Sequence, residues 1–257
     1  MAKFKQECIF GIRAVMEAIQ EEKEIDKVMF RQGIKGELFQ QLFSLVRERQ
    51  IQFQYVPEEV FKPFAGKNHQ GVLAEVSPIP YQDINTVMDS VVAEGKMPLI
   101  LVLDRITDVR NLGGIARTAE CAGVSAILIP NKNSAKISSD AIKTSAGALY
   151  HLPVCREKNL KKTLKELKRR GLTLFAATEK ADKFYTEVDM KEGCMIIMGA
   201  EDTGIDEELL ALADQQIKIP QYGKIESLNV SAAAAILVSQ KKCVHLSCSY
   251  RLLSCSP

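Results

Sequence analysis

Apolar and polar positions alternate along residues 9–77 in a way that predicts a small domain of helices and strands. Apolar residues recur every three to four positions in IFGIRAVMEAIQEE and GELFQQLFSLVRERQ, and in the first of these Ile12, Val15 and Ile19 share one face. PEEVFKPFA predicts a short helix that opens with a proline. Strands are predicted at KVMF, IQFQYV and GVLAEV. We therefore expect a small α/β unit in this segment.

The alternation restarts at residue 98, now with strands that are apolar along most of their length. These strands are LILVLDRI, AILIP, LTLFAAT, CMIIMG and QIKIP, with a shorter one at LPV. Helices are predicted between and after them, at NLGGIARTAECAG, SSDAIKTSAGA, residues 158–170, IDEELLALA and SLNVSAAAAILVSQKK. Apolar strands that alternate with helices predict an α/β fold with a parallel sheet covered on both faces.

Residues 77–98, where the two segments meet, contain three prolines and one short predicted helix, which is typical of a linker. The predicted organisation is a first domain at residues 1–78, a linker at 79–97, a second domain at 98–242 and an atypical tail at 243–257.

Composition places the chain among ordinary globular proteins. Of its 257 residues, 46% are hydrophobic and 26% are charged. No run approaches the roughly 18 apolar residues of a membrane span, and MAKFKQECIF lacks the pattern of a signal peptide. The sequence therefore predicts a cytoplasmic protein with no membrane segment.

The cysteines predict neither disulfides nor a metal site. Cys8, Cys121, Cys155 and Cys194 are isolated in apolar surroundings, so we interpret each as a small buried hydrophobic residue. The other three, at positions 243, 248 and 255, cluster near His245, but their spacing lacks the paired cysteines and matched histidines of a zinc site.

A net charge of +2 leaves nucleic-acid binding open, because a local basic patch is sufficient for it. The densest patch is REKNLKKTLKELKRR at 156–170, whose leucines at helical spacing indicate an amphipathic helix. A solvated helix face is the favoured interpretation of this stretch alone, and a phosphate-binding face is the alternative.

Three polar loops follow predicted strands of the second domain. We call them the first loop (DRITDVRNLGG, residues 104–114), the second loop (GAEDTG, residues 199–204) and the third loop (PQYGKIES, residues 220–227). Ligands of parallel α/β sheets bind beyond the carboxyl ends of the strands, where such loops lie. None of them carries a dinucleotide, P-loop or hydrolase-elbow fingerprint.

Each loop taken alone permits a structural interpretation. Asn111 is a candidate cap for the helix that follows the first loop, and Arg117 can pair with Glu120 on its surface. An arginine aimed at a phosphate or a polarised oxygen is an equally good interpretation of Arg117. The acidic pair in the second loop suits a helix start, and Ser227 is a candidate N-cap for the last helix.

Together, the stretches NLGGIARTAECAG, MGAEDTGI and IPQYGKIESLNVSAAAA resemble, in order and spacing, the three motifs of the SpoU (TrmH-like) RNA ribose 2′-O-methyltransferases of the SPOUT class. The resemblance covers about residues 98–240. FGIRAV and HQGVLAEV resemble the ends of the small domain, related to ribosomal protein L30e, that binds substrate in the bacterial branch that methylates guanosine in 23S ribosomal RNA.

The resemblance implies a fold and a cofactor. The fold is a parallel-sheet domain with a deep trefoil knot, here built from roughly residues 194–236, and physical priors alone would not predict it because knots are nearly absent from proteins. The cofactor is S-adenosylmethionine, bound bent in the knotted cleft. The residues implied to bind it or shape its cleft are Gly199, Gly204, Ile219, Pro220, Ser227 and Leu228.

The implied reaction is methyl transfer to a ribose 2′-hydroxyl of RNA, without a metal, by a homodimer whose active sites form across the subunit interface. Arg117 matches the catalytic arginine of the family. Since an arginine with a pKa above ~12 is a poor base, we expect Arg117 to position the ribose phosphate and to stabilise the developing oxygen charge. Four further residues are implied at the active site: Asn111, Glu201, Asn229 and Ser231.

Two alternatives remain at this level, and one departure from the family is visible. The substrate can be transfer RNA rather than ribosomal RNA, since the L30e-like domain favours ribosomal RNA only by analogy. The chain can also be an inactive RNA-binding relative, although the intact set of Asn111, Arg117, Glu201 and Asn229 argues against it. The serine- and cysteine-rich tail at 243–257 does not match the expected end of the family's last helix.

Overall fold

The computed structural model describes residues 8–225 and 227–245, and these residues divide into two compact units. The first unit contains the chain up to Pro80 together with Lys136–Ser139, and the second contains Tyr81–Ala135 and the chain from Asp140 onwards. The part of the predicted tail beyond residue 245 lies outside the described residues.

The first unit is built on a four-stranded mixed sheet with the strand order β1-β4-β2-β3. Strand β4 is antiparallel to both of its neighbours, whereas β2 and β3 are parallel. The elements are β1 (Cys8–Phe10), α1 (Ile12–Gln20), β2 (Ile25–Arg31), α2 (Glu37–Glu48), β3 (Phe53–Val56), a 3₁₀ helix (Glu58–Phe64) and β4 (Val72–Val76).

The predicted helices and strands of this unit are present, with one addition. Helix α1 buries Ile12, Val15 and Ile19 against the sheet, as the spacing of these residues predicts. Residues 9 and 10, at the start of the predicted first helix, instead belong to strand β1 (Cys8–Phe10). A strand of three residues has too short a pattern to identify, and this one is defined by its pairing with β4.

The second unit contains seven parallel strands and the helices that connect them. The elements are α3 (Ile84–Ala93), β5 (Leu99–Leu103), α4 (Val109–Cys121), β6 (Ala126–Pro130), α5 (Ser139–Thr144), β7 (Val154–Glu157), α6 (Leu160–Arg169), β8 (Thr173–Ala177), β9 (Lys183–Phe184), β10 (Cys194–Met198), α7 (Glu207–Leu210), β11 (Gln215–Lys218) and α8 (Val230–His245). Short 3₁₀ turns lie at Ala148–Tyr150 and Tyr185–Glu187. The sheet order is β7-β6-β5-β10-β8-β11-β9.

All neighbouring strands of this sheet run parallel, which confirms the predicted α/β class. The sequence did not predict β9, which has two exposed residues and therefore no apolar pattern. Helix α7 spans four residues, fewer than IDEELLALA suggests, because the residues after Leu210 leave the helix to reach β11.

Both faces of the sheet are buried, and alternate residues of each strand point to opposite faces. Ile100 and Val102 of β5 lie in one apolar cluster with Met195 and Ile197 of β10, covered by α3, α6 and α7. The alternate residues, such as Leu101, point to the other face, where α8 packs against β10 and α4 packs against α8. This double cover is why the strands are apolar throughout.

The segment predicted as a linker contains the short helix that the sequence indicates. That helix, α3, buries Ile84, Val87 and Met88 in the same apolar cluster as β5 and β10. Asp83 caps it by accepting a hydrogen bond from the backbone N–H of Thr86, with 2.8 Å between nitrogen and oxygen. Helix α3 of this segment is therefore part of the core of the second unit.

The four isolated cysteines do not share one environment. Cys155 and Cys194 are buried as predicted, Cys8 is half-buried, and Cys121 is exposed at the end of α4, which makes the prediction wrong for Cys121. Among the helices in the described part of the chain, none combines the length and apolar character needed to cross a bilayer.

We predict that a thiol reagent separates Cys121 from Cys155. Burial, with a smaller contribution from Glu157 and Asp83, raises the pKa of the Cys155 thiol to about 12, so almost no reactive thiolate forms at pH 8. Iodoacetamide at pH 8 should modify the exposed Cys121 within minutes and leave Cys155 unmodified, as measured by peptide mass spectrometry. In guanidinium chloride both should react, and equal reaction rates in the native protein would contradict the placement of Cys155.

Candidate functional site

The three polar loops leave the second sheet at the same edge. Met198 of β10 lies in register with Leu103 of β5, so these strands end side by side. Ile217 of β11 lies in register with Ala177 of β8, the strand between β10 and β11. The loops that follow β5, β10 and β11 therefore begin together, as the predicted parallel sheet requires.

One carboxylate oxygen joins the three loops. Oε1 of Glu201, in the second loop, accepts hydrogen bonds from the side-chain amides of Asn111 (3.1 Å) and Asn229 (2.9 Å). The backbone N–H of Val230 donates to the same oxygen at 3.3 Å. Asn229 also donates from Nδ2 to Oδ1 of Asn111 at 2.9 Å. The structure thus brings together three of the predicted active-site residues, which lie far apart in the sequence.

The caps of α4 and α8 differ from the predicted ones. Asp108 caps α4 by accepting from the backbone N–H of Asn111 at 2.8 Å, so Asn111 lies within the helix and its amide is available to Glu201. Helix α8 begins at Val230, three residues after Ser227. The predictions that Asn111 and Ser227 cap these helices are wrong, because a better placed acceptor precedes each helix.

Asn229 is the residue that caps α8. Its Oδ1 accepts from the backbone N–H of Ser231 at 3.0 Å and from the Ser231 hydroxyl at 2.5 Å. Its carbonyl oxygen accepts from the N–H of Ala233 at 3.0 Å. Ser231 also packs closely on α4, since a Cβ at Gly114 would lie 3.2 Å from the Cβ of Ser231. Ser231 therefore supports Asn229 and fixes the contact between α8 and α4.

A pocket lies beside this cluster, between the ends of β8, β10 and β11 and the start of α8. Five of the six predicted cofactor-binding residues line it, and Pro220 is not among its lining residues. The five are Gly199, Gly204, Ile219, Ser227 and Leu228. The sequence did not indicate the contribution of β8, whose end supplies Ala177, Thr178 and Glu179, because strand order cannot be seen in a sequence.

The second loop folds back tightly on itself at the wall of this pocket. The backbone N–H of Gly204 donates to the carbonyl oxygen of Ala200 at 2.9 Å, and Gly204 has a positive φ of 66°. A Cβ at Gly199 would lie 2.1 Å from the carbonyl carbon of Gly204, closer than any real contact. Only glycine fits at position 199, and the pocket wall there is backbone.

A buried aspartate connects the first and second loops. Asp104, which directly follows β5 and is 4% exposed, accepts from the backbone N–H of Asp206 at 2.8 Å and from Nε of Arg105 at 3.2 Å. Nη2 of Arg105 donates to the carbonyl oxygen of Gly204 at 3.2 Å. Sequence reasoning did not identify this connection, although a carboxylate immediately after a wholly apolar strand is a usable signal.

A second, more polar pocket adjoins the first. It is lined by Arg105, Ile106, Thr107, Asp108, Asn111, Ala200, Glu201, Asp202 and Val230. Ala200, Glu201 and Val230 line both pockets, so the hydrogen-bonded cluster around Glu201 stands where they meet. The first pocket offers backbone groups and apolar side chains, which suit a flat heterocycle, and the second offers groups that bind hydroxyls.

Arg117 is the predicted active-site residue that the structure does not bring to this cluster. It is exposed on α4, and it is not among the lining residues of either of these two pockets. Across the same part of the chain, no three His, Cys, Asp or Glu side chains come together as a metal site would require.

Comparison with known protein families gives two matches. The model of the SpoU rRNA methylase family matches residues 98–239, and the model described as RNA 2′-O ribose methyltransferase substrate binding matches residues 8–82. The first match spans the three loops, and the second spans the four-stranded sheet of the first unit.

Similar proteins and structures point to the same family. YacO of Bacillus subtilis (strain 168), whose name places it in the TrmH family of tRNA/rRNA methyltransferases, is 32% identical over 231 residues, which are 90% of this chain and 92% of YacO. A solved RNA 2′-O ribose methyltransferase is 25% identical, with a TM-score of 0.55 over 94% of this chain and 90% of that one. The fold also resembles AviRb from Streptomyces viridochromogenes in complex with AdoMet (19% identity, TM-score 0.60, 95% and 92% coverage).

We predict that Gly199→Ala closes the pocket beside the cluster. The added Cβ must displace the backbone of Gly204 and Ile205, so the pocket wall shifts. Affinity for S-adenosylmethionine, the cofactor that the sequence resemblance implies, should fall about tenfold or more, or about 1.4 kcal/mol, by isothermal titration calorimetry. Gly66→Ala is the matched control, because no atom lies within 4 Å of its added Cβ. Unchanged affinity in Gly199→Ala would show that the ligand does not use this wall.

Proposed function

Because the chain belongs to the SpoU rRNA methylase family, we propose that it transfers a methyl group from S-adenosylmethionine to a ribose 2′-hydroxyl of RNA. The observation that carries this proposal is the Asn111–Glu201–Asn229 cluster, which joins all three family motifs at the meeting point of two pockets. A relative that only binds RNA would have no need to keep this arrangement.

The residues around the first pocket fit the cofactor. Gly199 and Gly204 provide backbone without side chains, and Ile219 and Leu228 provide apolar cover, which together suit an adenine ring read through its edge. Pro220 shapes the path of the third loop from outside the pocket, and Ser227 lines the pocket itself. When bound, S-adenosylmethionine supplies a methyl group on a positively charged sulfur, which leaves as a neutral group, so no metal is required.

The protein's own residues place the nucleophile and stabilise its charge. Glu201 holds Asn111 and Asn229 through Oε1, and Ser231 holds Asn229 in turn. A developing negative charge on the ribose oxygen needs a positively charged or hydrogen-bonding group, and Arg117 is the candidate that the family motif supplies. Because Arg117 is exposed and lines neither of the two pockets that meet at Glu201, we propose that it acts at the cofactor pocket of a partner subunit in a homodimer.

Three further features belong to this proposal. The L30e-like domain that binds RNA is assigned to residues 1–78, and a linker at residues 79–97 joins it to the methyltransferase domain at 98–242. The tail at 243–257 differs in sequence from the end that the family's last helix usually has. The second and third loops, within roughly residues 194–236, form a deep trefoil knot around the cofactor. The protein works in the cytoplasm, where its RNA substrate is found.

The preferred substrate is a guanosine in 23S ribosomal RNA. The match of residues 8–82 to a substrate-binding family model supports an RNA-binding role for the first unit. Its pairing with a SpoU domain in one chain, as in the ribosomal-RNA branch that the first unit resembles, favours ribosomal RNA. Transfer RNA is the competing substrate, because the name of the relative YacO covers both classes of RNA.

We predict that Arg117→Ala abolishes methyl transfer and leaves cofactor binding intact. The side chain is exposed, so the fold should be unchanged, whereas loss of an oxyanion-stabilising group costs about 100-fold or more in rate. Single-turnover transfer of a labelled methyl group to RNA and calorimetric cofactor affinity test both halves. Lys191→Ala removes an exposed cation elsewhere in the unit and serves as the control. Near-normal turnover of Arg117→Ala would remove Arg117 from the mechanism.

Mixed subunits test whether Arg117 acts across a dimer. A hybrid of an Arg117→Ala chain with a Gly199→Ala chain contains one site with both an intact pocket and an intact arginine, provided that the arginine crosses the interface. In an equal mixture of co-refolded chains, half of the dimers are hybrids with one working site each, so about a quarter of the wild-type activity should return. No recovery above the two single variants would place Arg117 in its own chain's site.

We predict that a strain lacking this protein loses one 2′-O-methyl mark from 23S ribosomal RNA. The mark should be mapped at nucleotide resolution across ribosomal and transfer RNA, with re-expression of the wild-type chain as the control. Loss of a transfer RNA mark alone would overturn the ribosomal assignment, and loss of no mark would overturn the proposed reaction.

A further inference from the structure

The two carboxylate oxygens of Glu201 have different surroundings. Oε1 accepts all three hydrogen bonds, from Asn111, Asn229 and the backbone of Val230. Oε2 accepts none from the described residues, and the side chain is exposed. The hydrogen bonds that join the loops therefore use only Oε1, and Oε2 remains available as a hydrogen-bond acceptor.

The open oxygen belongs to a residue that lines both pockets. The second pocket, which Glu201 also lines, has Asp108 and Asp202 as its other carboxylates and Arg105 as its cation. A phosphate suits such a pocket poorly, whereas a ribose presents hydroxyl hydrogens that carboxylates accept. The pocket chemistry therefore fits the sugar of the acceptor nucleotide next to the proposed cofactor pocket.

We propose that Oε2 of Glu201 accepts the proton of the hydroxyl that is methylated, an inference that rests on the proposed function. A lone pair of the hydroxyl oxygen forms the bond to the methyl carbon, and the bond from that carbon to sulfur breaks with its electron pair remaining on sulfur. The hydroxyl proton passes to Oε2 and from there to water. A carboxylate is suited to this task, whereas an arginine stays protonated in proteins and cannot take a proton.

Glu201→Gln separates the two uses of the side chain. The amide oxygen of glutamine can replace Oε1 and keep its three hydrogen bonds, while the NH₂ group that replaces Oε2 cannot accept a proton. Single-turnover methyl transfer to RNA from a strain lacking the protein should slow by about 100-fold or more, the usual contribution of a general base. Affinities for S-adenosylmethionine and for this RNA, and the melting temperature, should stay at wild-type values.

The pH dependence gives a second readout that a bracing role would not alter. If Glu201 takes the proton, the profile of rate against pH should differ in shape between the wild type and Glu201→Gln. The other charged groups that line the two pockets are Arg105, Asp108 and Asp202 on one side and Glu179 and Lys218 on the other. They are unchanged in the variant, so any slope that they cause remains. Glu207→Gln, an exposed carboxylate at the start of α7, is the matched control.

Each outcome decides the inference. A Glu201→Gln rate close to that of wild type overturns it and leaves Glu201 as a brace alone. If the glutamine variant loses cofactor affinity, Glu201→Ala is tested with added formate, a small carboxylate that can replace the missing side chain. Recovery of the rate with formate supports the inference, and no recovery overturns it. If the wild-type chain itself transfers no methyl group to any RNA hydroxyl, the proposed function fails, and that result is separate from a failure of the Glu201 variants.

Discussion

The site depends on three hydrogen bonds to one oxygen of Glu201. They join the second loop to the first through Asn111 and to the start of the last helix through Asn229 and Val230. Bonds to a charged acceptor are stronger than neutral ones, and these three hold segments that are about 90 and 28 residues from Glu201 in sequence. Without this oxygen, the two pockets would have no fixed common boundary.

The parallel sheet makes this arrangement possible. Strands β5 and β10 are neighbours in register, and β8 lies between β10 and β11, so three loops from distant parts of the chain begin at one edge. Asp104 adds a second connection between the first and second loops. Its buried carboxylate accepts hydrogen bonds from the backbone N–H of Asp206 and from Nε of Arg105. The apolar strands thus position a site to which they contribute few side chains.

Close backbone approach is the second constraint. Gly199 tolerates no Cβ, since its neighbour Gly204 occupies that space, and Gly204 itself requires a positive φ. Gly114 lets Ser231 of α8 pack against α4, and Ser231 in turn holds Asn229. The glycines of the second loop therefore give the pocket a wall made of backbone. Gly114 and Ser231 set the distance between α4 and α8, the helices that carry Asn111 and the residues next to Asn229.

The amino-acid sequence alone predicted the α/β class, most of the helices and strands, the three loops and the family, because periodicity and motifs are local properties of a chain. It also identified Asn111, Glu201, Asn229 and Ser231, which the structure joins by hydrogen bonds. The strand order, and with it the contribution of the end of β8 to the pocket, is visible only in the folded chain, because a strand's own residues do not specify its pairing partners. The folded chain also shows that Asp108 and Asn229 cap the helices, in place of Asn111 and Ser227. It shows that Asp104 connects two loops. Arg117, by contrast, lines neither of the two pockets that meet at Glu201. These are matters of which groups meet in space, and a linear pattern cannot specify them.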